Sequence, residues 1–328
     1  MEVLGEHRAA HGTRIPPSGA TGRGTRQTER VPELTYGQPD TQSSDPGLFG
    51  PQSVTWRVHA DPVIGVGGVR AILLQTMLPG PMVAAAAASD YRRDPWGRLA
   101  RTAEYIGAIT YGTTDEAEHA ASKVRRLHRS LGLDDPAWLL WVHAAFVDSL
   151  LDCYRRSGAR LSADDADRYV REQRLAAELI GLDPDDVFGD VASLKLYLRE
   201  VTPSLQATPE AVDFVRFALV PPMPAKVRWL TPAAPGWATI VTTAFALLPA
   251  RVRSTLAAGL SSAGVPLVGG VLAPAGRLVA GGPMLDVQAT LTLRTMRVAL
   301  GRLPRSVREG PHLNAARQRL NLESLDLA

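Results

Sequence analysis

The helix-start grammar constrains this chain most. Asp94-Pro95 and Asp135-Pro136 each place a capping aspartate before a proline, and Thr208-Pro209-Glu210 repeats the pattern. A short oxygen acceptor satisfies the free amides of a first helical turn, and proline fits the first helical position because it has no amide to satisfy there. Ser162, three residues before Asp165, is a weaker capping-box variant. Behind these starts, apolar residues recur at helical spacing. No convincing series of alternating strands and no internal repeat appears, and Pro and Gly punctuate the pattern. The expected class is all-α. Helices are expected at about 68–78, 95–111, 115–131, 136–156, 163–180, 185–200, 208–219, 235–247, 249–259 and 285–302.

A chain of 328 residues can build one large core or two small domains. Three regions are expected: a disordered tail over 1–50, rich in Gly, Pro, Ser and Thr; a single helical domain over 51–305; and a polar C-terminal tail over 306–328 that frays. Lys and Arg are spread along the chain and the formal net charge is only +3, so no nucleic-acid footprint is present. Cys153 alone excludes an intramolecular disulfide and a cysteine-rich metal site, and its apolar helical setting predicts a buried, inert thiol. The N-terminus lacks the apolar core of a secretory signal. No run of about 20 apolar residues occurs. Gly259–Leu285 is apolar but broken by Pro266, Pro274, Arg277 and Pro283. The expected location is cytoplasmic, with peripheral membrane contact left open.

Three helices place polar groups where packing alone would not. Arg98, Arg101, Thr102 and Tyr105 share one face at i, i+3, i+4 and i+7, beside an apolar stripe of Leu99, Ala103 and Ile106. A solvated basic face is the commoner outcome of such spacing. His128 falls on the apolar face of its helix with Ala117, Ala120, Ala121, Val124 and Leu131. Small neighbours would let a flat ligand approach it, although a core histidine held by a hydrogen bond accounts for the same pattern. His143 lies on the stripe of Leu139, Phe146, Val147 and Leu150, with the same alternative. Imidazole in its neutral form is a common haem and metal ligand. Gly65-Val66-Gly67-Gly68 lacks the spacing of a dinucleotide fingerprint and reads as the turn before the helix at 68–78. No P-loop, G-x-S-x-G elbow or H-E-x-x-H motif is present. His119 is expected to be exposed, and His7, His11 and His312 fall in tails.

A run of blocks then carries a family resemblance: Trp56-Arg57-Val58, Arg70 to Gln75, Asp94 to Thr102, Val124 to His128, Leu140 to Ala144, and Leu247 to Arg253. In this order, over about residues 55–260, they resemble the catalytic domain of the MpaB-type oxygenases and the latex-clearing rubber oxygenases. The resemblance implies a globin-like helical core around haem b, with His128 as the proximal iron ligand. His143 would lie near the haem edge or behind the proximal helix. Arg98, Arg101 and Thr102 would face the distal side, where cations can favour dioxygen or anchor the propionates, and Tyr105 would line the cofactor site. Thr102 would donate to a distal water or oxygen. The implied reaction uses dioxygen to cleave a carbon–carbon double bond of an isoprenoid or other hydrophobic olefin. Arg101 stands where rubber oxygenases carry a lysine able to ligate iron. A guanidinium stays protonated and cannot ligate, so the face opposite His128 is expected to be open. Asp90 and Asp94 are the nearby acids, the latter reading as a cap. The Gly132–Asp135 connection is shorter than in the family. Two further readings remain at this level: a haem protein without oxygenase activity (sensor, store or peroxidase-like), and a helical module that has lost the cofactor.

Overall fold

The computed structural model describes residues 36–88, 92–219, 221–264 and 283–322. Residues 1–35 of the expected tail, Asp90, the stretch 265–282 and the last six residues lie outside the described set. Fifteen α-helices and no strand occur among the described residues, as the helix-start grammar predicts. In chain order they are α1 (Val54–His59), α2 (Ile64–Gln75), α3 (Pro79–Ala88), α4 (Pro95–Tyr111), α5 (Thr114–Leu131), α6 (Pro136–Arg156), α7 (Ala163–Leu179) and α8 (Val191–Val201). Then come α9 (Pro209–Leu219), α10 (Ala225–Leu230), α11 (Ala233–Ala246), α12 (Ala250–Ser262), α13 (Pro283–Gly301), α14 (Arg305–Arg308) and α15 (Pro311–Arg319).

The central element is α6. One side packs with α2, α9, α11, α12 and α13 in a core that includes Leu73, Met77, Trp141, Leu247, Leu256 and Leu293. Its other side joins α1, α7 and α8 through Leu139, Val147, Leu150, Tyr169 and Leu194. The contact between α2 and α6 depends on a glycine. A Cβ on Gly67 would stand 3.3 Å from the Leu150 Cα and 3.4 Å from the Ser149 carbonyl oxygen. The glycine cluster is therefore helical and not the turn expected from its composition. Gly67 sits inside α2 because only a residue without a side chain lets the two backbones approach so closely.

Arg70 and Asp148 bridge the same two helices, each only 3% exposed. The Arg70 guanidinium donates to Asp148 Oδ2 (3.0 Å), Ser149 Oγ (2.7 Å) and the Leu247 carbonyl (3.0 Å), tying α2 to α6 and to the end of α11. Lys195 of α8 donates to the other Asp148 oxygen at 2.5 Å. Burial works against ionised Asp148, yet Arg70 and Lys195 together hold its carboxyl below the usual range. A second buried guanidinium, Arg253, donates to the Ala246 and Leu248 carbonyls (2.5 and 3.1 Å) and so satisfies the C-terminal end of α11.

Several segments depart from the sequence expectation. Helix α8 begins at Val191 instead of 185, because Asp190 caps it and Pro184–Asp186 forms a separate 3-10 turn. Helices α1, α3 and α10 were not anticipated. The polar stretch after 303 does not fray. There α15 buries Leu313 and Ala316 beside Trp56 and Tyr111, and Arg319 donates to the Tyr111 carbonyl (2.6 Å) at the end of α4. His312 is buried too, seated against Gly107, where a Cβ would meet its ring at 3.0 Å. Residues 36–50 also pack: Leu48 and Phe49 lie on the α4–α5 cluster, and the Asp40 amide donates to Glu116. Cys153 is buried, and burial pushes its thiol up to about 12, which makes it inert. No single described helix is long and apolar enough to cross a membrane. Helices α2 and α3 pass that test only together, across a 101° bend.

Candidate functional site

Helices α4 and α5 form an antiparallel hairpin. Asp94 caps α4 by accepting from the Gly97 amide, with Pro95 at the first position. Thr113 and Glu116 cap α5 reciprocally. The far end of α5 closes on Gly132 in the left-handed conformation (φ 65°). The Leu133 amide donates to the His128 carbonyl (2.8 Å), and the Gly132 amide donates to the Arg129 carbonyl (3.3 Å). This termination places His128 in the last turn and fixes its backbone.

Burial along the hairpin is lopsided. In α4 only Ala108, Ile109, Thr110 and Tyr111 are fully buried; in α5 only Ala117, Ala120 and Ala121 are. The hairpin is covered at its turn and open at its free ends. At the covered end Tyr105 packs against Ile109, Ala117 and Ala121, and its ring meets Tyr36, centroid to centroid at 6.1 Å. Burial raises both phenols, Tyr36 to about 12, so both stay protonated.

At the open end, two turns further along each helix, Arg98 faces His128 electrostatically. Burial lowers the imidazole's pKa, Arg98 lowers it further and Asp134 opposes them. The net result is a neutral ring. Neither of its nitrogens has a hydrogen-bond partner among the described residues. Arg98 is hemmed in by protein, which lowers its own pKa, yet its surface remains open to solvent. Leu99, Ile106, Val124, Leu127 and Leu131 are only half-buried and Ala103 is exposed, so α4 and α5 leave apolar surface uncovered.

The other expected site residues are placed differently. Arg101 donates to Asp94 Oδ2 (3.0 Å), which ties its guanidinium to the cap of its own helix. The Thr102 hydroxyl donates to the Arg98 carbonyl (3.0 Å), so its proton is committed to the backbone and its oxygen is left as an acceptor. Tyr105 forms the inner wall of the hairpin seam. His143 is buried on α6, on the stripe of Leu139, Val147 and Leu150 that enters the α1–α7–α8 core, and burial pushes its pKa down to about 4. No interaction joins it to His128 among the described residues. Among the described residues Arg98 acts electrostatically on His128, and no interaction joins Thr102 or His143 to that imidazole.

Sequence reasoning missed His59. Its ring nitrogens meet Thr110 Oγ1 (2.9 Å) and the Tyr169 hydroxyl (3.1 Å), and burial lowers its pKa to about 3. A fully bonded buried ring is structural, and it links α1 to α4 and α7. No group of three or more His, Cys, Asp or Glu side chains that could hold a metal occurs among the described residues. A neutral imidazole with no hydrogen bond among the described residues, on a helix with part-exposed apolar side chains and a cation acting on it, suits a flat apolar cofactor that brings its own ligands to the metal.

The described residues form an all-helical domain. Residues 56–280 match the family described as ER-bound oxygenase mpaB/B'/Rubber oxygenase, catalytic domain, and the chain belongs to that family. No curated protein and no solved structure matches it.

Proposed function

We propose that this protein is a haem b-dependent oxygenase that uses dioxygen on a hydrophobic small molecule, isoprenoid or otherwise olefinic. The observation that carries this reading is His128, a neutral, part-buried imidazole in the last turn of α5 on which Arg98 acts electrostatically, with no hydrogen bond to its ring among the described residues. Family membership supports the oxygenase class.

Haem b, when bound, supplies the redox centre that activates dioxygen. The chain's own residues do the rest. His128 Nε2 or Nδ1 would hold the iron, and the backbone bonds at Gly132 and Leu133 keep that ring in place. Arg98 would hold a propionate or favour negative charge that develops on the opposite side. Arg101, paired with Asp94, keeps its charge and would offer no ligand to the iron. The Thr102 oxygen would accept from a proton donor at the site. Leu99, Ile106, Val124 and Leu127 offer the apolar walls that would keep water from an olefin. His143, buried on α6, would act through the packing of that helix.

The test is oxygen uptake. Protein loaded with haemin should consume dioxygen when given an isoprenoid olefin and release carbonyl fragments. Haem uptake without olefin-dependent oxygen consumption would favour the alternative, a haem protein serving as sensor, store or peroxidase.

A further inference from the structure

Helix α10 exposes a tryptophan and a leucine side by side. Helix α10 is six residues long and carries Trp229 and Leu230 at 79% and 78% exposure, with Val227 also exposed. The exposed character continues through Thr231, Pro232, Ala233, Pro235 and Gly236 into the start of α11. Exposed aromatic and leucine side chains at a helix tip leave a large apolar area in water, and such patches mark interaction sites.

The stretch of chain that carries the patch has charges of one sign. From residue 214 to residue 285 the chain contains no Asp or Glu, while it carries Arg216, Lys226, Arg228, Arg251, Arg253 and Arg277. Lys226 is exposed beside Val227. Arg228 donates to the Pro221 carbonyl (3.1 Å), which braces the turn that presents the helix. The preceding loop also reaches the start of α4. Trp96 Nε1 donates to the Pro222 carbonyl (2.7 Å), and the Trp96 ring packs edge-on to Trp237 at 5.0 Å. Exposed Arg93 precedes that start. The patch therefore sits on the scaffold that carries the open end of the α4–α5 hairpin.

We propose that this face docks on an anionic lipid bilayer, with Trp229 and Leu230 inserted at the headgroup level and Lys226 facing the lipid phosphates. Tryptophan and leucine flanked by cations is the chemistry that partitions to a membrane interface. The stretch that carries the patch holds no acid that anionic lipid would repel. An apolar protein partner would explain Trp229 and Leu230 but not the absence of acids. Docking here sets the hairpin near the phase in which hydrophobic substrates dissolve. The docking does not require the haem reading.

Vesicle sedimentation tests it on the full chain. The wild type should pellet with phosphatidylcholine–phosphatidylserine vesicles and remain largely in solution with phosphatidylcholine alone. Added salt should weaken the binding. A Trp229→Ser/Leu230→Ser double variant should bind at least about tenfold more weakly, because removing two inserted side chains exceeds one decade of partitioning. Lys226→Glu should lose the preference for anionic lipid. All three side chains are exposed, so both variants should melt as the wild type does, and haem spectra should not change. Wild type that stays in the supernatant with both lipids overturns the proposal, as does a double variant that binds equally. Self-association lost in the double variant, with no vesicle binding, assigns the face to a second copy of the chain instead.

Discussion

Replacing Arg70 with Met should be the most destabilising single change that leaves the candidate site untouched. Methionine fills most of the volume and adapts to an irregular site, so the loss is electrostatic. The guanidinium makes three hydrogen bonds between 2.7 and 3.0 Å, to Asp148, Ser149 and the Leu247 carbonyl, from a position 3% exposed. Removing it strands a buried carboxylate, a loss of about 3–5 kcal/mol. Lys195 at 2.5 Å keeps part of the attraction, so the lower half of that range is expected. Lys195→Met is the control. That amine is 45% exposed, and its loss should amount to about 1 kcal/mol or less. Urea unfolding of the three proteins at neutral pH measures both. A pH series adds a sharper criterion. In the wild type, Arg70 and Lys195 keep the Asp148 pKa low despite burial. Without Arg70, burial dominates and Asp148 takes up a proton at higher pH, which relieves the stranded charge. The gap between Arg70→Met and wild type should therefore shrink as pH falls toward about 4. A gap under about 1 kcal/mol at neutral pH, or one independent of pH, would refute the reasoning.

Two further predictions follow from burial and packing. Burial lowers His59 to about 3 and His143 to about 4, so the fold holds both neutral while the unfolded chain protonates them near 6.5. Their contribution is complete above about pH 6.5 and is lost as pH falls, with each histidine adding a slope of up to about 1.4 kcal/mol per pH unit. Stability that stays flat from about pH 6 to 4.5, or that His59→Gln leaves with an unchanged slope, would contradict this. In α2, Gly67→Ile should destabilise by about 1–3 kcal/mol by pushing α6 away. Gly65→Ala and Gly68→Ala, where an added Cβ meets nothing within 4 Å, should stabilise by about 0.5–1 kcal/mol in the same thermal melts.

Much of the fold was legible because its signals are local. The bounds of α4 and α6 follow from Asp94-Pro95 and Asp135-Pro136, which the structure uses as caps. What the sequence hid depends on contacts distant along the chain. The glycines of α2 mimic a loop unless Ser149 and Leu150 are seen against them. The last helix looks polar because two of its cations bond to main-chain or acidic groups elsewhere: Arg317 to Glu309, and Arg319 to the Asp45 and Tyr111 carbonyls. At the site, helical spacing placed Arg98, Arg101, Thr102 and Tyr105 on one face, but spacing cannot show that Asp94 holds Arg101 or that Thr102 bonds to its own helix. Two histidines on apolar stripes looked equivalent. The structure separates them: His143 enters a core and His128 lies on a helix that leaves apolar surface uncovered.

The absorption spectrum of haemin-loaded protein tests the assignment of His128 most directly. Wild type should show a Soret band of imidazole-ligated haem. His128→Ala should lose it, and added imidazole should restore it, which separates loss of a ligand from collapse of the site. His143→Ala should retain the band in whatever fraction remains folded. An unchanged spectrum in His128→Ala, loss of ligation in His143→Ala alone, or a wild type that takes up no haem would contradict the account.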